Sequence, residues 1–210
     1  IDARLAKDFP QYAALANPQP LSIPDAQRLL GRDEALVFIV SRPDQSMIWI
    51  VTKEAADWAE VPLGEAQLAR DVAALRCGLD PAAWRGASAD RCQRLVNATY
   101  REGALLPFEL ARAHALYDAL FSRHKDLIDG KHLLVATSGP LATLPLAVLV
   151  TERSAAALPG DPSAYAAAAW LGKRHAITTL PSIASLGSLR ATAKASAAVK
   201  PFIGFGNPLL

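Results

Sequence analysis

No run of like charges occurs anywhere in the 210 residues, and the formal net charge is only +2. Without a basic stripe nothing favours nucleic acid or an anionic membrane surface as a partner. No stretch approaches the roughly 18 unbroken apolar residues that a membrane helix needs. Cysteine is scarce, at two residues, and neither a CxxC nor a Cys/His cluster surrounds Cys77 or Cys92, so neither carries a metal-site pattern. In an oxidising compartment the two would pair across their 15-residue spacing, and in a reducing cytosol they would be two small buried thiols. The sequence leaves the compartment open, cytoplasm or periplasm.

The four histidines give no ligand spacing either. His114 and His124 lie ten apart, which on one helix separates them by about 80° and about three turns. His132 and His175 stand at the starts of strands. A glycine loop for a dinucleotide is also missing. Gly204-Phe205-Gly206 has Leu209 where a third glycine belongs, and Pro208 removes an amide from the cradle. No GxSxG elbow surrounds Ser138, so Ser138-Gly139-Pro140 reads as a tight turn at a strand's carboxyl end rather than a nucleophile. No catalytic residue, metal ligand or cofactor is assigned from these patterns.

What is present is a core and a strand pattern. With 51% hydrophobic and 20% charged residues the chain suits a globular fold of one domain or two small ones. Leu133-Leu134-Val135-Ala136 runs without alternation into turn residues, the mark of a strand buried on both faces in a parallel sheet. His175 to Leu180 and Phe202 to Phe205 repeat the theme, with helix-compatible sequence between, so βαβ units are expected. The fold class predicted is α/β, a three-layer sandwich around a partial parallel sheet over residues 131–210. An α+β region over residues 1–130 precedes it.

That first region carries a capping-box signature at Ser22 and Asp25, with Pro24 suited to a first helical turn and Gly31 as a stop. EALVFIVS (34–41) and MIWIVT (47–52) flank Arg42-Pro43-Asp44-Gln45-Ser46 and predict an antiparallel hairpin, with a third strand over Asp57 to Val61. Trp49 and Trp58 are read as packing residues rather than ligand contacts. Apolar spacing of 4, 3 and 4 at Leu68, Val72, Leu75 and Leu79 predicts a helix ending near Gly78. A weaker helix is expected around Cys92 and Val96, and a long one from Pro107 to about Lys125. Further on, Leu144 to Leu149 predicts a short buried helix. Ser163 is the expected cap of an alanine-rich helix over 164–171, and Ser182 the cap of one running to 195.

These elements occur in a recognisable succession. Leu116-Tyr117-Asp118-Ala119-Leu120, a buried strand, Gly139-Pro140-Leu141 with Leu144 to Leu149, Thr179-Leu180-Pro181-Ser182 with Leu186, and Gly204-Phe205-Gly206-Asn207-Pro208 together resemble the CHAT family. Upstream, Phe9 to Leu15, Asp33-Glu34-Ala35-Leu36 and Val72 to Arg76 add to the likeness, so it covers most of the chain. CHAT domains are caspase-like domains found behind TPR repeats in many bacteria, and they are similar to separases and caspases. The resemblance implies a cysteine peptidase fold in which a histidine and then a cysteine lie at the ends of consecutive strands. In the family both follow the GFGNP-like segment, two residues before Leu210, so none of the six histidines and cysteines here takes a dyad position. Ser138 stands where the family commonly has an acidic residue.

The sequence begins at Ile1 rather than Met, with no signal-peptide pattern, and reads as the amino-terminal portion of a longer, protein-cleaving chain. On this reading it is inactive alone, and its partners are protein or peptide, upstream TPR helices and a missing carboxyl-terminal half. The alternative is a non-catalytic interaction module. On either reading the Phe202 to Phe205 strand is expected to pair on one side only within the chain.

Overall fold

A computed structural model describes residues 21–192. The first described turn is helix α1, Ile23–Leu29, and its start is set by the predicted capping box. Ser22 Oγ accepts the Asp25 amide at 3.3 Å and the Asp25 carboxylate accepts the Ser22 amide at 3.4 Å. The Ser22 hydroxyl beside Asp25 holds its carboxyl below the usual range.

Strands β1 (Glu34–Ser41), β2 (Ser46–Thr52) and β3 (Ala56–Val61) form the expected antiparallel meander. Its register places Trp49 directly opposite Trp58 and Phe38 opposite Trp49, and the Phe38 and Trp49 rings stack at 5.5 Å. Trp49 thus packs across the strands against Phe38, and Trp58 stands opposite it in the register. Trp58, on the edge strand, still leaves 51% of its surface exposed.

From β3 the chain leaves the sheet through α2 (Glu65–Cys77) and α3 (Ala87–Val96) and comes back along α4 (Leu110–Phe121) and the single turn α5 (Lys125–Ile128). It then enters β4 (His132–Thr137), which pairs in parallel with β1, and β5 (Ile177–Thr179) adds in parallel to β4. The hairpin and the parallel strands thus share one five-stranded mixed sheet, ordered β3-β2-β1-β4-β5. The β4–β5 pairing matches the expectation for the 132–137 and 175–180 stretches, while the parallel β1–β4 pairing, which joins the hairpin to them, was not expected. The third expected parallel strand, at 202–205, lies outside the described residues.

The sheet is covered on both sides. Ala35, Val37 and Ile39 of β1 and Leu133 and Val135 of β4 face the helices α2 and α4 in the larger core. The alternate residues Leu36, Leu134 and Ala136 meet α1 and the helix α8 (Ile183–Thr192) in a smaller one. Leu133, Leu134, Val135 and Ala136 are all buried, as an unbroken apolar strand in a three-layer α/β fold requires. Phe121 anchors the larger core with no exposed surface, and truncating it to alanine would cost about 3–5 kcal/mol.

Three expected helices differ from the sequence reading, and in two of them residues distant in sequence are the cause. The long helix expected over 107–125 is confined to Leu110–Phe121, because Phe108 is held outside it. The Tyr165 hydroxyl accepts the Phe108 amide at 3.1 Å and donates to the Phe108 carbonyl at 2.9 Å. His124, placed on that helix by spacing, sits instead in a 3-10 turn, Ser122–His124. The alanine-rich run likewise stops early, as α6, Pro162–Ala167, capped by Asp161 rather than Ser163. Propensity yields there to pairing: Thr151 N donates to Ala169 O at 2.8 Å and Leu171 N to Leu149 O at 2.7 Å, pulling 168–170 into an extended path. The released carbonyls are satisfied by Trp170 Nε1 on Tyr165 O and Lys173 Nζ on Ala166 O. A last turn, α7 (Leu171–Arg174), leads into β5. The turn at 139–143 and the one at 146–148 are both 3-10, so the expected helix over 144–149 is only one tight turn.

Candidate functional site at the carboxyl edge of the parallel strands

Open α/β sheets bind ligands beyond the carboxyl ends of their parallel strands. Here that edge is built by Ser41 at the end of β1, Ser138 and Gly139 after β4, and Pro181-Ser182 after β5. Ser138 N continues the parallel ladder onto Ile39 O at 2.9 Å. Its Oγ then accepts the Ser41 amide at 3.0 Å, while Ser41 Oγ donates to Ser138 O at 3.3 Å. The two serines lock the ends of β1 and β4 together and fix the direction in which the chain leaves the sheet.

Gly139 takes the left-handed φ of 61° that the turn requires, and a Cβ there would stand 3.1 Å from the Ser41 Cβ. The turn is braced from the side by Arg76 of α2, which donates to Thr143 O. Ser182 Oγ accepts the Ser185 amide at 3.2 Å and starts α8, as its position predicted.

What this edge does not gather is an acid–base pair. The Ser138 hydroxyl has no imidazole partner, and each of the four histidines is engaged elsewhere. His132 Nε2 lies 2.8 Å from Thr178 Oγ1, and His175 Nδ1 lies 2.9 Å from Lys131 O, both at the amino ends of β4 and β5. His114 Nδ1 meets Val150 O at 3.0 Å. His124 is buried against β3, with Nδ1 3.2 Å from Asp57 Oδ2 but off the hydrogen-bond line. Burial pushes the His124 imidazole below its ordinary pKa, the Asp57 carboxylate opposes this, and Arg123 adds to it. Neither the His124–Asp57 contact nor the 2.6 Å link from Arg112 to Asp71 was readable from the sequence, since Asp57 and Asp71 are brought in from distant elements; Arg112 also pairs at 2.6 Å with Glu109, three residues before it.

Cys77 and Cys92, which the sequence left open between paired and free, are joined in a disulfide with Cα atoms 5.6 Å apart. They lie beside the edge rather than on it. A cavity of about 330 Å³ contains both cysteines together with Pro140 and Thr143 of the turn after β4. Among the described residues no cluster of side chains could hold a metal ion, and no helix is long and apolar enough to cross a membrane. Gly204 to Asn207 lie outside the described residues.

A mixed sheet covered on both faces, with parallel strands that open onto a common carboxyl edge, defines an α/β sandwich. Residues 110–209 match the family model of the CHAT domain, so this part of the chain is similar to CHAT-domain sequence. The match begins at Leu110, the first residue of α4, and takes in β4, β5 and α8. No curated protein sequence matches the chain.

Proposed function

We propose that this chain is the amino-terminal scaffold of a caspase-like cysteine peptidase, and that the histidine and cysteine of its dyad come from polypeptide outside residues 1–210. One observation carries the reading. The carboxyl edge of β1, β4 and β5 is formed and braced, yet three histidines are hydrogen-bonded at other places, His124 is buried beside Asp57, and both cysteines are consumed by each other. Nucleophilic catalysis needs a thiolate and a base within hydrogen-bond reach, and nothing in the described part of the edge supplies them. Further parallel strands beside β5 would bring such a pair to the same edge as Ser138 and Ser182. The substrate is then a polypeptide, and upstream TPR helices are the expected controlling partner in a bacterial host.

The test is to read the coding sequence past Leu210 and compare two purified proteins, the 210-residue chain and the longer product, against a mixed peptide library with mass-spectrometric detection. The expected result is cleavage by the longer product only, lost when the cysteine that ends its later strand is changed to alanine. Cleavage by the 210-residue chain itself would overturn the proposal. Half-exposed Trp58 on the edge strand β3 favours the second reading, a non-catalytic module that docks protein. That reading is supported if the longer product has no such histidine and cysteine.

A further inference from the structure

The geometry points to a second chemistry, independent of peptidase activity. We propose that the Cys77–Cys92 disulfide is a thiol-exchange site, and that its reduction releases residues 80–105 from α2 while the sheet stays intact.

Three observations support this. First, residues 80–105 are fastened to the rest of the fold at few points. Among the described residues one hydrogen bond leaves the segment, from Trp84 Nε1 to Cys77 O at 2.7 Å. The Arg85–Glu102 ion pair and the Trp84–Tyr100 ring contact both lie within it. Second, the apolar contacts beneath the segment form their own small cluster, separate from the two cores that hold the sheet. Ala74, Cys77, Cys92 and Val96 are its buried members, with Ala83, Trp84, Leu95 and Ala98 around them. Alanines bury little area, so the covalent bond is the strongest single attachment.

Third, the disulfide can be reached. Cys77 and Cys92 are only 4% and 3% exposed, yet both border the 330 Å³ cavity, into which Arg76, Arg91 and Asp80 also project their surfaces. A reducing thiol is attacking as its thiolate, and the two guanidiniums against one carboxylate favour both that anion and the thiolate it expels.

The reductant is a dithiol. Its first thiolate forms a new S–S bond to one cysteine sulfur, the Cys77–Cys92 bond breaks, and the displaced cysteine leaves as a thiolate that takes a proton. The second thiol of the reductant then loses its proton and attacks the mixed disulfide, closing the reductant into a cyclic disulfide and freeing the other cysteine. The protein gains two electrons and two protons, and the dithiol loses the same.

The consequence reaches past the cysteines. Leu79, Tyr100 and Leu105 form one wall of an open apolar cavity of about 790 Å³ whose other wall includes Val148 and Trp170. The released segment carries most of the first wall with it. Pro140 and Thr143, which border the disulfide cavity, tie the same event to the turn at the carboxyl edge.

The experiment treats the intact, oxidised chain with a dithiol in native buffer. Cysteine alkylation is followed by mass, and amide hydrogen exchange is measured before and after. The expected result is uptake of two alkyl groups without denaturant, with exchange over 80–105 faster by roughly tenfold or more and exchange in β1 and β4 unchanged. The double variant C77S/C92S should show that fast local pattern without reductant, and R91Q should slow the reduction several-fold. The proposal is overturned if the bond resists the dithiol until denaturant is added. It is equally overturned if exchange over 80–105 does not change on reduction, or rises across the sheet as well. An unchanged rate in R91Q removes the cavity's charge from the account.

Discussion

Ser41 and Ser138 bind each other twice across the ends of two parallel strands, the Ser138 hydroxyl accepting the Ser41 amide at 3.0 Å and the Ser41 hydroxyl donating to the Ser138 carbonyl at 3.3 Å. Ser138 is therefore a clasp on the sheet edge. Ser138→Ala should leave the Ser41 amide without its partner and lower stability by about 1 kcal/mol. Gly139→Ala should cost a further ~1–2 kcal/mol, because its φ of 61° disfavours any side chain. Urea denaturation of the two variants and their double mutant checks both figures, and the neighbouring sites should not add simply.

Tyr165 decides where α4 begins. Its hydroxyl both accepts from and donates to the backbone of Phe108, a residue only 4% exposed. Tyr165→Phe strands the Phe108 carbonyl and leaves the Phe108 amide with Leu106 O alone, and the expected loss is about 1–3 kcal/mol. The urea midpoint should fall with its slope unchanged, since the surface exposed on unfolding is the same.

His124 makes the fold sensitive to acid. Its folded pKa lies below the ordinary 6.5, chiefly through burial. Above 6.5 the residue is neutral in both states and contributes no pH dependence. As pH falls through 6.5 the unfolded chain takes up the proton first, so stability drops until the folded pKa is passed, with a slope of at most about 1.4 kcal/mol per pH unit. Stability measured from pH 8 down to pH 4 should show this decline, and H124Q should remove that part of it. Asp57→Asn should extend the decline to lower pH, because the carboxylate that favours the imidazolium is gone.

The oxidised state of the cysteines has a simple signature. Intact mass should rise by two hydrogens when the chain is reduced under denaturing conditions, and non-reduced peptide mapping should recover Cys77 linked to Cys92.

Much of this fold was legible because periodicity and turn chemistry agreed with tertiary demand. The bounds of β1 follow from the apolar run 34–41, and the capping box at Ser22 set α1. The unbroken run at 133–136 announced a strand with both faces covered. The misses came where distant groups overrode local preference. Nothing near Pro107 signals that Tyr165 will hold Phe108 extended, and nothing in an alanine run says that Thr151 and Leu149 will pair with its end. The site was less legible than the fold. Ser138-Gly139 was marked as a turn at a strand end, but the clasp with Ser41 joins residues 97 apart in sequence. The disulfide stayed open because spacing alone could not say whether α2 and α3 would pack side by side.

The account depends most on β1, β4 and β5 pointing the same way, since only then do Ser41, Ser138 and Ser182 share one edge. Interstrand nuclear Overhauser effects on labelled protein test this directly. Residues 35–37 and 133–135 should show the amide-to-Hα pattern of a parallel pair, while β1 and β2 show the close Hα–Hα contacts of an antiparallel one. Strong Hα–Hα contacts between β1 and β4 would contradict the account and remove the edge on which the caspase-like reading rests.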